Sequence, residues 1–312
     1  MNQSHIDKRI KYKRGKSGMA TFLCVLTVLL VSAEVMAYKG EAIIQAFLPP
    51  AIAYQPRGFF PGSEFHSSAS EQIQQELQQL HELGFQSIVT YGARGSMGSI
   101  PEVARSLGFS GMIIMGIWDI YSDEEWDNAV AQLEFVDGYC LGNEGLFFLR
   151  YTVNELEKKM NELRKATGKP VTTGEPIYSY LQGPYREWLL THSDWLFPNT
   201  HPFWGGKNQY QDAVDWVVAR ADYLEATTGQ RVILKETGLP SKTPHPKGEE
   251  MQNLFFTALK ATGVKFVYFE AFDQPWKHEM FNQPEAEGHW GLFDANGRPK
   301  KAIESVITWE TP

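Results

Sequence analysis

The sequence predicts an α/β fold of the (β/α)8 barrel type, in which eight parallel strands alternate with helices. Two observations lead to this prediction. Short apolar runs alternate with amphipathic helical patterns from about residue 45 onward. Glycine also follows many of the helical patterns, and a new apolar run begins within a few residues of each such glycine. A barrel of about 250 residues accounts for most of the 312-residue chain, so we expect a single TIM barrel domain.

The individual elements follow from these patterns. Strands are predicted over Ala51–Tyr54, Ser87–Tyr91, Met112–Ile117, Val136–Leu141, Pro170–Gly174, Asp194–Asn199, Val232–Lys235 and Lys265–Phe269. Helices are predicted over Ser70–Leu83, Pro101–Leu107, Glu124–Glu134, Val153–Ala166, Gln211–Glu225 and Gly248–Thr262. The glycines expected in the left-handed conformation after helices are Gly84, Gly108, Gly168, Gly229 and Gly263.

An open, doubly wound sheet is the alternative arrangement of such elements. That fold would require a glycine-rich phosphate-binding turn after the first strand. The residues that follow the first predicted strand, Tyr54 to Gly58, do not supply one. The closed barrel is therefore the better interpretation.

The amino-terminal segment differs from the rest of the chain. Basic residues from Lys8 to Lys16 precede an apolar run from Met19 to Val31, and Val35-Met36-Ala37 then offers small residues three apart. This pattern predicts a cleaved signal peptide, with an uncleaved membrane anchor as the alternative. In either case we expect export to the periplasm or the extracellular space, with a tether to the inner membrane if the segment is retained. The predicted boundaries are 1–37 for the leader, 38–48 for a linker and 49–312 for the catalytic barrel.

Charge and cysteine content exclude several functions. The leader carries six basic and two acidic side chains, so the remaining chain is more acidic than the formal net charge of −8. Such a surface does not suit nucleic acid, and membrane contact is expected only through the leader. Cys24 lies in the leader and Cys140 in a predicted strand, where it is expected to be a buried thiol. Histidines do not occur at metal-ligand spacing, so we expect neither a metal nor a cofactor.

Two glutamates lie where catalytic residues of a barrel are found, just after predicted strands. The fourth strand is followed by Gly142-Asn143-Glu144, and the seventh by Glu236-Thr237-Gly238. Glycosidic cleavage requires one carboxylic acid that protonates the leaving oxygen and a second carboxylate across the bond. At a separation of about 5 Å the second carboxylate acts as a nucleophile, and the anomeric configuration is retained. The pair therefore predicts a carbohydrate-active enzyme.

These residues resemble glycoside hydrolase family 17, which contains β-1,3-glucanases and related glucanosyltransferases, and in particular its short bacterial branch. The resemblance extends from about Ala51 to Lys301. Its blocks are Gly142–Glu144, Glu236–Ser241, Glu270–Lys277 and Gly288–Asp294, with weaker matches at Tyr54, Tyr91-Gly92, Thr173–Pro176 and His201–Trp204.

The resemblance implies roles for individual residues. Glu144 would be the acid/base, Glu236 the nucleophile, and Asn143 would bind the hydroxyl next to the reacting carbon. Tyr91 would lie under the sugar. The other residues expected in the substrate-binding cleft are Tyr54, Trp118, His201, Trp204, Asp273, Trp276, Lys277 and Glu287.

Lys235 and Phe203 depart from the family pattern, and Glu175 is a further glutamate that follows a predicted strand. Lys235 precedes the nucleophile where the family usually has a smaller residue, and in a regular strand it would point away from Glu236. Phe203 stands where a tyrosine is common. Glu175, after the fifth strand, is expected to be a ligand or network residue rather than a third catalyst.

Together these inferences predict retaining hydrolysis of β-1,3-glucan by double displacement. If another glucan replaces water as the acceptor, the same residues make the protein a transglycosylase. A non-catalytic glucan-binding barrel is a further alternative, although retention of both glutamates speaks against it.

Overall fold

The computed structural model describes residues 40–61, 69–242, 247–281 and 283–307. Within these residues, seven parallel strands form one curled sheet in the order β5-β4-β3-β2-β1-β7-β6. The strands are β1 (Ala51–Ala53), β2 (Ser87–Val89), β3 (Ile113–Ile117), β4 (Gly138–Asn143), β5 (Val171–Gly174), β6 (Leu234–Thr237) and β7 (Phe266–Tyr268). Each overlaps a strand predicted from the sequence, so a parallel (β/α)-barrel architecture is confirmed with seven of the eight predicted strands.

The sixth predicted strand, residues 194–199, is not a regular strand. Asn199 nevertheless makes isolated parallel bridges to Pro176, just after β5, and to Glu236 in β6. The segment therefore lies between β5 and β6 without a continuous ladder. Pro198 explains the irregularity, because proline has no N–H group to donate to a neighbouring strand.

Helices surround the sheet. They are α1 (residues 40–46), α2 (Ala69–Glu82), α3 (Ile100–Ser106), α4 (Asp123–Ala131), α5 (Val153–Thr167), α6 (Ile177–Leu181), α7 (Arg186–His192), α8 (Tyr210–Thr228), α9 (Gly248–Lys260), α10 (Trp276–Phe281) and α11 (Ile303–Ile307), with 3₁₀ helices at Gly95–Ser99, Pro202–Gly205 and Glu285–Gly288. Sequence signals mark several ends. Thr152 and Glu155 form a capping box at the start of α5, and Gly168 ends that helix at φ 70°. The other four glycines expected after helices also have positive φ.

Side chains alternate between two buried layers along the strands. On β1, Ala51 and Ala53 contact an inner cluster, whereas Ile52 contacts the layer beneath the helices. Cys140 on β4 is buried in the inner cluster, as the sequence predicts. Burial on both faces is what a parallel sheet covered by helices requires.

Helix α1 closes the end of the barrel at which the strands begin. Ile43, Ile44 and Phe47 are buried in the inner cluster. Ile43 lies against Gly138 at the start of β4, where an added Cβ would come within 3.1 Å of it. The segment that the sequence assigned to a linker thus contributes to the core.

The predicted leader, residues 1–37, lies outside the described residues. Its signal-peptide or anchor role and the domain boundaries remain predictions. Among the described helices, none has the length and apolar character needed to cross a membrane.

Candidate active site

A β-bulge turns the end of β4 toward the barrel mouth. From Cys140 to Asn143, β4 advances three residues while β5 advances two, from Thr172 to Gly174. The extra residue bends the strand and re-aims the side chains that follow. Glu144 comes next with φ 55°, a left-handed conformation that non-glycine residues seldom adopt. The acid/base candidate is therefore presented by an irregular strand end.

A second irregularity occurs where β6 carries Glu236. From Leu234 to Thr237, β6 advances three residues while β7 advances two, from Phe266 to Tyr268. Here too the additional residue breaks the alternation of side chains between the two faces. The backbone carbonyl of Glu236 accepts from Thr200 N at 2.6 Å, which ties this bulge to the neighbouring segment.

Hydrogen bonds connect the two strand ends. Asn199 Nδ2 donates to Glu144 Oε1 at 2.9 Å and to Asn143 Oδ1 at 3.0 Å. Lys235 Nζ donates to the same Asn143 oxygen at 3.0 Å and to Glu236 Oε1 at 2.6 Å. The two predicted catalytic glutamates thus belong to one hydrogen-bond network. The sequence predicted only that both lie at the ends of strands.

Cationic and neutral donors surround the carboxylate of Glu236. Its second oxygen, Oε2, lies 3.1 Å from His201 Nε2, which donates when the proton is on that nitrogen. Burial alone would raise the pKa of Glu236, but the Lys235 ammonium and the His201 hydrogen bond lower it to about 2. Phe269 and Trp290 hold the His201 ring, with centroids 4.7 Å and 4.9 Å away. Glu236 is therefore ionised across the physiological range.

The environment of Glu144 raises its pKa, whereas that of Glu236 lowers it. Burial and the negative charge of Glu236 raise the pKa of Glu144, although the Asn199 hydrogen bond opposes the shift. The site thus favours one protonated and one ionised carboxyl group.

Glu175 holds the loop that follows Glu144. Its carboxylate accepts from the backbone N–H groups of Leu146 at 2.9 Å and Phe147 at 3.1 Å. Burial raises the pKa of Glu175 to about 7. The contacts agree with the expected network role, because Glu175 supports the acid/base loop from β5.

Tyr91 lies beside Lys235, and Lys277 pairs with a further buried glutamate. The Lys235 ammonium is 4.4 Å from the centre of the Tyr91 ring, and Tyr91 meets Phe269 edge to face. Lys277 Nζ donates to Glu270 Oε1 at 2.7 Å. Burial raises the pKa of Glu270 to about 7 despite that contact.

Aromatic side chains surround the mouth. Trp118 is 46% exposed, with Arg150 stacked over its ring at 4.2 Å, and Trp204 is 55% exposed. Trp276 is partly buried and packs edge to face on Phe59. These positions are compatible with the expected sugar-stacking roles, which the structure leaves as predictions.

Glu287, which was expected in the substrate-binding cleft, contacts a buried tryptophan. Its Oε1 accepts from the indole N–H of Trp290 at 3.1 Å. Since Trp290 packs on His201, Glu287 reaches the nucleophile side of the site through two intervening side chains.

Two predicted cleft residues require correction. Tyr54 is fully buried, and its hydroxyl donates to Glu76 Oε2 at 2.8 Å in the layer beneath the helices. Asp273 is buried in an ion pair with Lys300 at 2.6 Å and also accepts from Gly291 N. Tyr54 therefore faces the helices rather than the cleft, and the charge of Asp273 is paired within the fold. Position at a strand end does not distinguish a cleft residue from one that joins two segments.

Sequence reasoning also missed residues of the network. The sequence predicts Asn199 only as the last residue of a strand. This position at a strand end is the signal by which its place in the site could have been found. Lys235 was expected to point away from Glu236 in a regular strand, but β6 is bulged between Leu234 and Thr237, so the two side chains meet on one side. Ile233 belongs to the inner cluster, so Lys235, two residues later, enters the barrel on the same side and reaches Glu236 from within.

Metal-ligating side chains do not gather in the part of the chain that the structure describes, where no group of three or more His, Cys, Asp or Glu residues could hold an ion. Metal independence remains a prediction.

Known proteins resemble this chain along most of its length. The profile of the BtgE/BtgC glycoside hydrolase domain matches residues 51–291. A glucan 1,3-beta-glucosidase from Arthroderma benhamiae is 28% identical over 243 residues, which cover 69% of this chain and 78% of that protein. A glucan 1,3-beta-glucosidase from Saccharomyces cerevisiae is 23% identical over 244 residues, covering 67% and 77%.

Solved structures share the fold. The crystal structure of a glycoside hydrolase family 17 β-1,3-glucanosyltransferase from Rhizomucor miehei superposes with a TM-score of 0.65 at 21% identity, covering 83% of this chain and 97% of that one. A β-1,3-glucanase and allergen of Cryptomeria japonica pollen superposes with a TM-score of 0.56 at 14% identity, covering 80% and 96%. The expected bacterial branch remains a prediction. The chain is a glycoside hydrolase that belongs to the BtgE/BtgC domain family, and thereby to glycoside hydrolase family 17.

Proposed function

We propose that this enzyme cleaves β-1,3-glucan with retention of configuration, using Glu144 as the acid/base and Glu236 as the nucleophile. The observation that carries the proposal is the opposite electrostatic environment of the two carboxyl groups. Lys235 and His201 lower the pKa of Glu236 to about 2, whereas burial and the charge of Glu236 raise that of Glu144. Carboxyl groups whose pKa values are pushed apart in this way supply one acid and one ionised partner.

The reaction proceeds in two displacements. The Glu236 carboxylate attacks the anomeric carbon and forms an ester bond to it. The bond to the glycosidic oxygen breaks, and that oxygen takes the proton of Glu144. In the second step Glu144, now ionised, removes a proton from water while the water oxygen displaces Glu236 from the anomeric carbon. Two inversions restore the β configuration.

The substrate class is supported by the relatives and by the mouth of the barrel. Both relatives described above are named glucan 1,3-beta-glucosidases. Exposed Trp118 and Trp204 offer flat apolar surfaces on which successive glucosyl units can stack. A neutral glucan is also compatible with the acidic chain.

The two glutamates should fail in different ways when they are replaced. With a dinitrophenyl β-glucoside, Glu144→Ala should still form the glycosyl-enzyme, because this leaving group needs no proton. Azide should then accelerate turnover and yield the β-glucosyl azide. Glu236→Ala should lose both steps for every substrate, and azide should give the α-glucosyl azide by direct displacement. The anomer is identified by NMR of the product.

The anomer is a suitable readout because misfolding cannot imitate it. The same anomer from both variants, or the reverse pattern, would overturn the assignment of roles. Laminarin that releases no reducing sugar with the unmodified enzyme would instead favour the non-catalytic glucan-binding barrel.

Transglycosylation is the second candidate, with the same residues and a sugar hydroxyl in place of water. Phe147, on the loop after Glu144, is 49% exposed and offers an aromatic surface on which an acceptor sugar could stack. Mass spectrometry of laminari-oligosaccharide products separates the two outcomes. Products longer than the input indicate transfer, whereas shorter products alone indicate hydrolysis.

We also propose that the enzyme is exported through its amino-terminal segment. The basic stretch followed by an apolar run in residues 1–37 supports this proposal. Amino-terminal sequencing of the protein recovered from each cell fraction distinguishes a cleaved leader from a retained anchor.

A further inference from the structure

Lys235 is a fully buried lysine in the centre of the active site. Its side chain is 1% exposed, and its ammonium donates to Glu236 Oε1 at 2.6 Å and to Asn143 Oδ1 at 3.0 Å. The same ammonium lies 4.4 Å from the centre of the Tyr91 ring. One cationic group therefore contacts the proposed nucleophile, a proposed sugar-binding amide and an aromatic residue of the cleft.

The fold makes room for this side chain. Lys235 rises from the inner face of β6 past Gly174 on β5. A Cβ added at Gly174 would lie 2.7 Å from Lys235 Cδ and 2.9 Å from Asn143 Oδ1. Since real Cβ atoms do not approach other heavy atoms so closely, the glycine is required for both side chains to meet there.

Stability alone does not explain a lysine at this position. Removing an ammonium and a carboxylate from water costs several kcal/mol per ion, and their attraction often fails to offset that cost. A packed apolar residue would be at least as favourable for folding. A buried ion pair beside reacting groups is instead typical of functional sites.

The contact with Asn143 also determines which way its amide faces. Asn143 Oδ1 accepts from Lys235 Nζ and from Asn199 Nδ2. With the oxygen held by these donors, the Nδ2 group of Asn143 remains to donate elsewhere, as required for binding a sugar hydroxyl oxygen. Lys235 thereby fixes the donor side of the amide.

We propose that Lys235 is a positioning residue, which holds the carboxylate of Glu236 and the amide of Asn143 in one arrangement through a single ammonium group. The inference rests on the proposed function, in which Glu236 attacks and Asn143 binds the hydroxyl beside the reacting carbon. In this role Lys235 keeps the Glu236 nucleophile ionised in acid. The preference of the enzyme for glucosides that carry a 2-hydroxyl then depends on the same lysine.

The first test measures the ionisation of Glu236 directly and needs no substrate. Full-length protein labelled with ¹³C-glutamate is titrated by NMR between about pH 8 and about pH 3.5, and the Glu236 signal is assigned by its loss in Glu236→Gln. In the unmodified enzyme this signal should not titrate in that range. In Lys235→Met, which keeps the length of the side chain without its charge, the midpoint should rise far enough for the Glu236 signal to titrate within that range.

Lys300→Met is the matched control. Lys300 is also a buried lysine in an ion pair, and its hydrogen bonds go to Asp273 and Ser241. Its replacement should lower stability without moving the Glu236 midpoint. An ordinary Glu236 midpoint in the unmodified enzyme, or equal shifts in the two variants, would overturn the proposal. Lys235→Gln is used in parallel in case the methionine variant does not fold.

The second test compares aryl β-glucosides with and without the 2-hydroxyl. The ratio of their kcat/KM values should fall by at least about tenfold in Lys235→Met, as it should in Asn143→Ala, and the double variant should lose little more. An unchanged ratio in Lys235→Met would overturn the role through Asn143. Failure of the proposed function has a separate signature, because the unmodified enzyme would then turn over neither glucoside. The NMR titration would still test the role of Lys235 at Glu236.

Discussion

The carboxyl groups of Glu144 and Glu236 occupy equivalent places at strand ends but have different neighbours. Glu236 accepts from an ammonium and an imidazole, so ionisation is favoured even though the group is buried. Glu144 is buried and faces the charge of Glu236, so protonation is favoured although the Asn199 amide donates to its carboxylate. Their chemical difference therefore originates in their neighbours, which are Lys235 and His201 for Glu236 and the Glu236 carboxylate for Glu144.

The smallest residue in the network should be among the least replaceable. Gly174→Ala would press a methyl group against Lys235 Cδ and Asn143 Oδ1. Since displacements of about 1 Å at a catalytic group can cost about 10²-fold, we expect kcat/KM on laminarin to fall by at least about tenfold.

Gly229→Ala is its control, because Gly229 has φ 68° and open space around its Cβ position at the end of α8. That variant should lose about 1 kcal/mol of unfolding free energy with kcat/KM unchanged. Equal losses of kcat/KM in both variants would show that the alanine at position 174 acts through general destabilisation.

Elements position the site through their irregular parts. The bulges at the ends of β4 and β6 re-aim the two proposed catalytic glutamates, and Glu175 on the neighbouring segment anchors the loop after Glu144. Regular strands supply the rigid frame below these irregularities. Helix α1 completes that frame at the opposite end of the barrel.

The packing of α1 leads to a stability prediction. Ile43→Ala should lower the free energy of unfolding by about 2–4 kcal/mol, because Ile43 is 1% exposed and its loss leaves a cavity in the inner cluster. Gln45→Ala, at an exposed position of the same helix, should change it by less than about 0.5 kcal/mol. Denaturant unfolding measures both values. Similar effects of the two substitutions would mean that α1 does not pack in the barrel.

On the scale of the whole molecule, buried carboxyl groups link stability to pH. Burial raises the pKa values of Glu175 and Glu270 to about 7, whereas an unfolded glutamate titrates near about 4.3. Between these values the folded state holds a proton that the unfolded state has released. The contribution of each group to stability is thus fully present below about pH 4.3 and is lost as the pH rises through about 7.

We therefore expect the free energy of unfolding to decline between about pH 4.5 and about pH 7, with a shallower decline in Glu175→Gln. Each carboxyl group with a raised pKa contributes up to about 1.4 kcal/mol per pH unit to the decline of the unfolding free energy. Glu162→Gln, on the partly exposed face of α5, serves as the control and should keep the slope of the unmodified enzyme. Urea unfolding at a series of pH values measures the slopes. A slope in Glu175→Gln equal to that of the unmodified enzyme would contradict the proposed protonation.

Local pattern was sufficient for the strands, the helix ends and the location of the catalytic candidates. Apolar periodicity and glycine placement are properties of short segments, so they predicted seven observed strands and the left-handed turns after helices. Glu144 and Glu236 became catalytic candidates because the catalytic residues of a barrel follow its strands. The blocks around them also identified the family before any fold was known.

The tertiary structure decided which side chains meet. Asn199 contacts Glu144 across 55 positions of the chain, and Lys235 contacts Asn143 across 92 positions. Tyr54 and Asp273, which the resemblance placed in the cleft, pair with Glu76 and Lys300 inside the fold. An inserted residue changes the direction of a side chain without changing the composition of its strand. The direction of a side chain at a strand end, and the residues that it contacts, therefore depend on how neighbouring strands are aligned. No single segment of sequence encodes that alignment.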